Sequence, residues 1–133
     1  MTEAAARPGG RYWTTSDRTD VRPVDAIHDG VGTILVRSFF DRESQLAVRF
    51  HVWELGPGVT EGSHVHAADD PRDDYEELYY VLSGEGVALF DGEEVPLAPG
   101  DALLVPTDVD HGLANRGTEP LRIVLVFGHP RRD

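Results

Sequence analysis

Turn-forming residues interrupt this chain so often that no long helix fits between them. Gly56-Pro57-Gly58, Ser83-Gly84-Glu85-Gly86, Asp91-Gly92 and Pro99-Gly100-Asp101 each close a short run rich in β-branched, aromatic or aliphatic residues. Proline removes a backbone donor and glycine reaches dihedrals that other residues avoid, so each cluster ends what precedes it. No segment sustains a 3.6-residue apolar period over ten or more residues. The alternative is about nine to eleven short strands. Residues 33–40 and 46–55 are the densest, and 21–27 is weaker. A short strand is expected to carry His64 and His66, followed by strands at 78–82, 87–90, 95–97, 102–105, 111–114 and 121–127. Such a series folds as an all-β barrel or two-sheet sandwich.

The 133 residues make one ordinary domain. Residues 1–20 are polar and small, and read as an N-terminal tail or arm; 21–130 form the β domain. Tyr12 and Trp13 are the tail's two large side chains, suited to packing on the domain or on a second subunit. No apolar run approaches the ~20 residues of a membrane span, and the first residues lack the apolar centre of a signal peptide. With no cysteine there is neither disulfide framework nor thiolate chemistry, and a cytoplasmic location is the expectation. The net charge of −12 repels phosphate backbones and anionic lipid, which argues against nucleic-acid and membrane partners. Half of that charge falls between Glu61 and Glu77, where seven acids face one base, Arg72. A divalent cation would offset part of it. No nucleophile elbow, Walker loop or dinucleotide fingerprint is present.

His64 and His66 are two residues apart, so on a regular strand their imidazoles share a face. Glu77 opens a later strand and His111 stands in a third segment. Three imidazoles and a carboxylate suit Fe(II), Mn(II), Ni(II), Cu(II) or Zn(II). An octahedral ion would keep two positions open for substrate or dioxygen, whereas tetrahedral zinc could close the site and make it structural.

The offsets are those of a known family. Gly58, five residues, then His64-x-His66, and Glu77, six residues, then Gly84, match the first motif of the cupins. Gly100, five residues, then Pro106, followed by His111, three residues and Asn115, match the second. The chain therefore resembles a small single-domain (monocupin) member of the cupin superfamily. The resemblance implies a jelly-roll β-barrel, often a homodimer, in which His64, His66, Glu77 and His111 bind one divalent metal. It implies a metal-dependent enzyme acting on a small-molecule substrate, with a mononuclear Fe(II) dioxygenase-type oxidoreductase as the leading expectation. Isomerase, lyase, decarboxylase or cyclase chemistry, or non-catalytic binding of a metal or small molecule, are the alternatives. Two features depart from the pattern. Residues 67–76 insert ten positions between His66 and Glu77, where the family has three or four, and Asp108 stands where glycine is usual. Glu76 competes with Glu77 as ligand, but the six-residue spacing to Gly84 favours Glu77.

Pocket residues follow from parity. Tyr79 shares the face of Glu77, and Tyr80 faces away. Arg49, His51 and Trp53 share one face of their strand, and Phe50, Val52 and Glu54 the other; if the first face is interior, Arg49 and His51 join Tyr79 as candidate catalytic residues. Asn115 reads as structural. The acidic run before Glu77 reads as a solvated excursion, with a lid presenting Arg72 and Tyr75 as the alternative. His28 and His129, near a turn and the terminus, are expected to be isolated and exposed.

Overall fold

The computed structural model describes residues 5–6, 10 and 12–131. Two short strands, β1 (Ala5–Ala6) and β2 (Trp13–Thr14), pair with each other. The domain itself is built from β3 (Val21–Asp25), β4 (Thr33–Ser38), β5 (Val48–Leu55), β6 (Thr60–His64), β7 (Glu76–Ser83), β8 (Gly86–Phe90), β9 (Glu93–Leu97), β10 (Ala102–Val105), β11 (His111–Ala114) and β12 (Leu121–Gly128). The six-stranded sheet runs β10-β7-β12-β5-β4-β3 and the four-stranded sheet β6-β11-β8-β9, all antiparallel. This is the all-β jelly-roll arrangement.

Strand alternation decides which side chains enter. On β7, Glu77, Tyr79 and Val81 are buried while Leu78, Tyr80 and Leu82 are exposed. On β12, Leu121, Ile123 and Leu125 turn inward. These meet Ala88, Leu97 and Leu113 of the smaller sheet in one core with Ile34, Val36, Trp53 and Leu55. Each fully buried aliphatic side chain stabilises the sandwich by about 1.5–3 kcal/mol.

The two faces of β5 resolve by the same logic. His51 and Trp53 are buried inside, whereas Phe50 is 44% exposed outside. Val52 is also buried, because the chain before β3 covers that outer face: the Asp17 carbonyl accepts from Arg37 Nε at 2.8 Å, and the Asp17 carboxylate pairs with Arg122 at 2.5 Å. Asp108 replaces the usual glycine at a left-handed position, φ 68°. It also bridges two segments. Its N–H donates to His66 O and its carboxylate accepts from the Ala68 N–H, both at 2.9 Å, pinning the start of the insertion.

Candidate metal centre

Three strands and one loop bring the candidate ligands together. His111 opens β11 opposite His64, the last residue of β6, and Glu77 is the second residue of β7. His66 lies just beyond β6, so the chain rather than a shared strand face aims it at the others. The His66 Nε2 to Glu77 Oε1 distance is 2.6 Å, His111 Nε2 to the same oxygen 3.3 Å, and His64 Nε2 to His66 Nε2 3.2 Å. One ligand atom from each of the four lies within 4.8 Å of the rest, which suits a shared ion.

The other ring nitrogens are already committed. Nδ1 of His64 donates to Gly62 O at 2.8 Å, Nδ1 of His111 to Val109 O at 2.9 Å, and Nδ1 of His66 to the Asp73 carboxylate at 2.9 Å. Each bond occupies Nδ1 and leaves Nε2 turned into the cluster, available as a ligand once His66 gives up the proton it shares with Glu77, the usual preparation of a metal-binding histidine. The donor set therefore fits a divalent transition metal. Burial, eased only partly by the bond to Gly62, lowers the His64 pKa to about 4. Burial also acts against a charged His66, yet its bonds to Glu77 and Asp73 raise it to about 9. Burial works to raise Glu77 too, but the His111 and His66 imidazoles hold it well below the usual carboxylate range.

The insertion is more than a solvated excursion. Asp73 orients His66, Tyr75 sets its ring edge-on to His66 at 5.8 Å and to Phe127 at 5.5 Å, and Asp74 is buried against His129. Arg72, by contrast, is 91% exposed and pairs with Asp70.

Tyr79 is buried with its hydroxyl turned toward Glu77 and Glu61, without closing a hydrogen bond of good geometry; burial and those two carboxylates raise its pKa well above the usual value. His51 is interior but two strands from Tyr79, with Leu125 between them, and its Nε2 faces Asp41 at 3.3 Å. Arg49 stands further along the same face, half exposed and bound to Asp41. Glu76 lies outside the ligand cluster. Asn115 holds loops: its Nδ2 donates to the carbonyls of Leu55 and Glu119 and its Oδ1 accepts from the Gly117 N–H.

Two residues join the site that strand parity does not reveal. His28 is not isolated: its ring stacks on His64 at 3.5 Å with an interplanar angle of 10°. Glu61 is 2% exposed and lies beside His64. Three positions apart on a regular strand, Glu61 and His64 would face opposite ways. A bulge corrects this, since His111 pairs with His64 but Leu113 pairs with Glu61. Gly62, inside the strand, is the one sequence signal of that bulge.

A jelly roll that gathers three histidines and a glutamate within 4.8 Å defines a two-sheet β protein with a site able to hold a metal ion. The cupin-domain family matches residues 51–127, and the chain belongs to that family. An oxalate-binding protein of Thermotoga maritima is 28% identical over 106 residues, 78% of this chain and 83% of that protein. The crystal structure of a predicted oxalate decarboxylase from Thermotoga maritima superposes with a TM-score of 0.74 at 26% identity, covering 83% of this chain and 92% of that one. A Cupin 2 conserved barrel domain protein from Salinispora arenicola, at 18% identity and a TM-score of 0.68 over 86% of both chains, shares the fold.

Proposed function

We propose that this cupin binds one divalent transition metal through His64, His66, Glu77 and His111 and acts on a small polar organic molecule held beside it. The observation that carries this reading is the convergence of three Nε2 atoms and one carboxylate within 4.8 Å. Next to it, Glu61 Oε1 and Tyr79 Oη are buried without a well-formed hydrogen bond to a protein partner. Buried polar atoms are almost always paired, so this set supports a ligand that pairs them. Fe(II) is the leading metal, with Mn(II), Ni(II), Cu(II) and Zn(II) as the others. When bound, the metal supplies Lewis-acid polarisation or oxygen activation. The chain's own residues bind and orient: Tyr79 offers a hydroxyl donor and Asp73 holds His66 in register. His51 and Arg49, tied to Asp41, shape the interior face leading to the rim.

Dioxygenase chemistry is the leading reaction class. Protein purified without oxygen, loaded with Fe(II) and given a panel of hydroxy acids, catechols and diketones should consume oxygen with one of them, and His111→Ala should abolish the uptake. Oxygen uptake that is independent of added Fe(II) would refute it. Carboxylate chemistry is the second reading, favoured by the similarity to Thermotoga maritima; it is supported instead if oxalate is bound or cleaved without net oxygen uptake. The partner reading is a homodimer. Leu104, Leu78, Val126 and Phe50 stand in register across four strands on the outer face, a row suited to a second copy.

A further inference from the structure

The strand that carries His64 is built to bring a second carboxyl to the metal's side. The bulge in β6 turns Glu61 onto the same interior face as His64. The 3-10 turn Ile27–Asp29 is pressed onto that bulge, and two glycines permit the contact. A Cβ on Gly62 would lie 1.8 Å from His28 O, and one on Gly30 2.2 Å from Thr60 O. Ala26, His28 and Asp29 all hold positive φ, an arrangement that non-glycine residues adopt only at a cost. Strain of this kind persists where surrounding structure enforces it, and it collects at working sites. Its outcome here is His28 stacked on His64, with His28 Nε2 and His64 Nε2 each 3.8 Å from Glu61 Oε2.

Those distances exceed a hydrogen bond, and Glu61 Oε1 is buried with no partner at all. Among the described residues, no lysine or arginine pairs with Glu61; its neighbours are the His28 and His64 imidazoles, Glu77 and the Tyr79 hydroxyl. Glu61, His28 and His64 form a second ligand-spaced group that shares His64 with the first. His64 has one free nitrogen, because Nδ1 is spent on Gly62, so it serves one ion. The pair Glu61–His28 thus stands beside the four-ligand centre, with a buried carboxylate oxygen left unpaired.

Resting on the metal reading above, we propose that Glu61 is a substrate-positioning residue. It accepts a hydrogen bond from a substrate hydroxyl whose oxygen is one of the metal-chelating pair, and so selects hydroxy acids or enediols over oxygen chelators that have no O–H. A carboxyl offers an acceptor oxygen in either protonation state, so the match does not depend on which form is present. His28 closes over His64 and holds the pocket on that side.

The test uses the full chain loaded with Co(II), whose visible absorption reports both metal and added ligand. Glycolate and methoxyacetate chelate through the same pair of oxygens, but only glycolate keeps the hydroxyl proton. The wild type should prefer glycolate, and Glu61→Ala should reduce the glycolate-to-methoxyacetate affinity ratio by about tenfold, the worth of one buried hydrogen bond. Metal affinity should stay within about threefold, since Glu61 is not a ligand. Glu61→Leu provides a check on folding: filling the site with an apolar side chain of similar size should leave Tm unchanged or raised, while losing the same discrimination. An unchanged ratio in both variants overturns the proposal. So does loss of metal from either, which would make Glu61 a ligand, or a lower Tm in Glu61→Leu, which would make it structural. Failure of the wild type to bind Co(II) would instead overturn the metal reading itself, and this proposal with it.

Discussion

At the scale of single residues, the centre is a set of opposed ionisation preferences. In the metal-free protein His64, at about 4, lies below its unfolded value of 6.5. The unfolded chain then binds more protons between those values, so stability falls as pH drops from 6.5 toward 4. His66, at about 9, lies above 6.5. Its contribution is complete below 6.5 and is lost as pH rises through 9. Glu77, held below the usual carboxylate range, adds stability at neutral pH that disappears in acid. Metal-free protein should therefore be most stable near pH 6–7. Urea midpoints across pH 4–10 check this, and a midpoint that climbs steadily from pH 6.5 to 9 would contradict the assignment of His66. The alkaline decline should be reduced in His66→Asn, leaving the part contributed by buried Glu61, whose pKa burial holds well above the usual carboxylate range.

At the scale of elements, the insertion between β6 and β7 is part of the centre. Asp73 reaches back to His66, Tyr75 rests on its ring, and Asp108 anchors the loop's first residues. Asp73→Asn should weaken metal binding by about 10–100-fold, as loss of a carboxylate behind a ligating histidine does, while leaving the fold intact. Isothermal titration checks it; unchanged affinity would return the loop to a surface role. The strands were legible in the sequence because their ends are written in glycine and proline and their faces in alternation. Residues 111–114 and 102–105 agree with β11 and β10 to the residue. Tyr79 followed from the same parity. His28, Glu61 and Asp73 did not, each for a physical reason. Glu61 is re-aimed by a bulge, which breaks the period-two rule. His28 arrives through a turn in left-handed backbone that sequence spacing does not encode. Asp73 acts through a ten-residue loop whose path only the folded chain defines.

At the scale of the whole molecule, the six-stranded sheet presents two different outer surfaces. Over β4, β5 and β12, the segment around Asp17 covers Arg37 and Val52. Over β10, β7 and the far end of β12 and β5, Leu104, Leu78, Tyr80 and Phe50 are 44–55% exposed. A contiguous apolar face of this kind is what a second copy would bury. Leu78→Glu places charge at its middle without entering the core, and should shift the protein from dimer to monomer in sedimentation velocity. A wild type that sediments as a monomer at high concentration would rule out the homodimer.

The central claim is that four residues from three segments of the chain hold one metal ion. Protein purified without added metal, incubated with Fe(II) or Co(II) under argon and dialysed, should retain about one ion per chain by mass spectrometric metal analysis. His64→Ala and His111→Ala should each lose most of it, and Glu76→Ala, outside the cluster, should keep it. Full occupancy in either histidine variant would contradict the account.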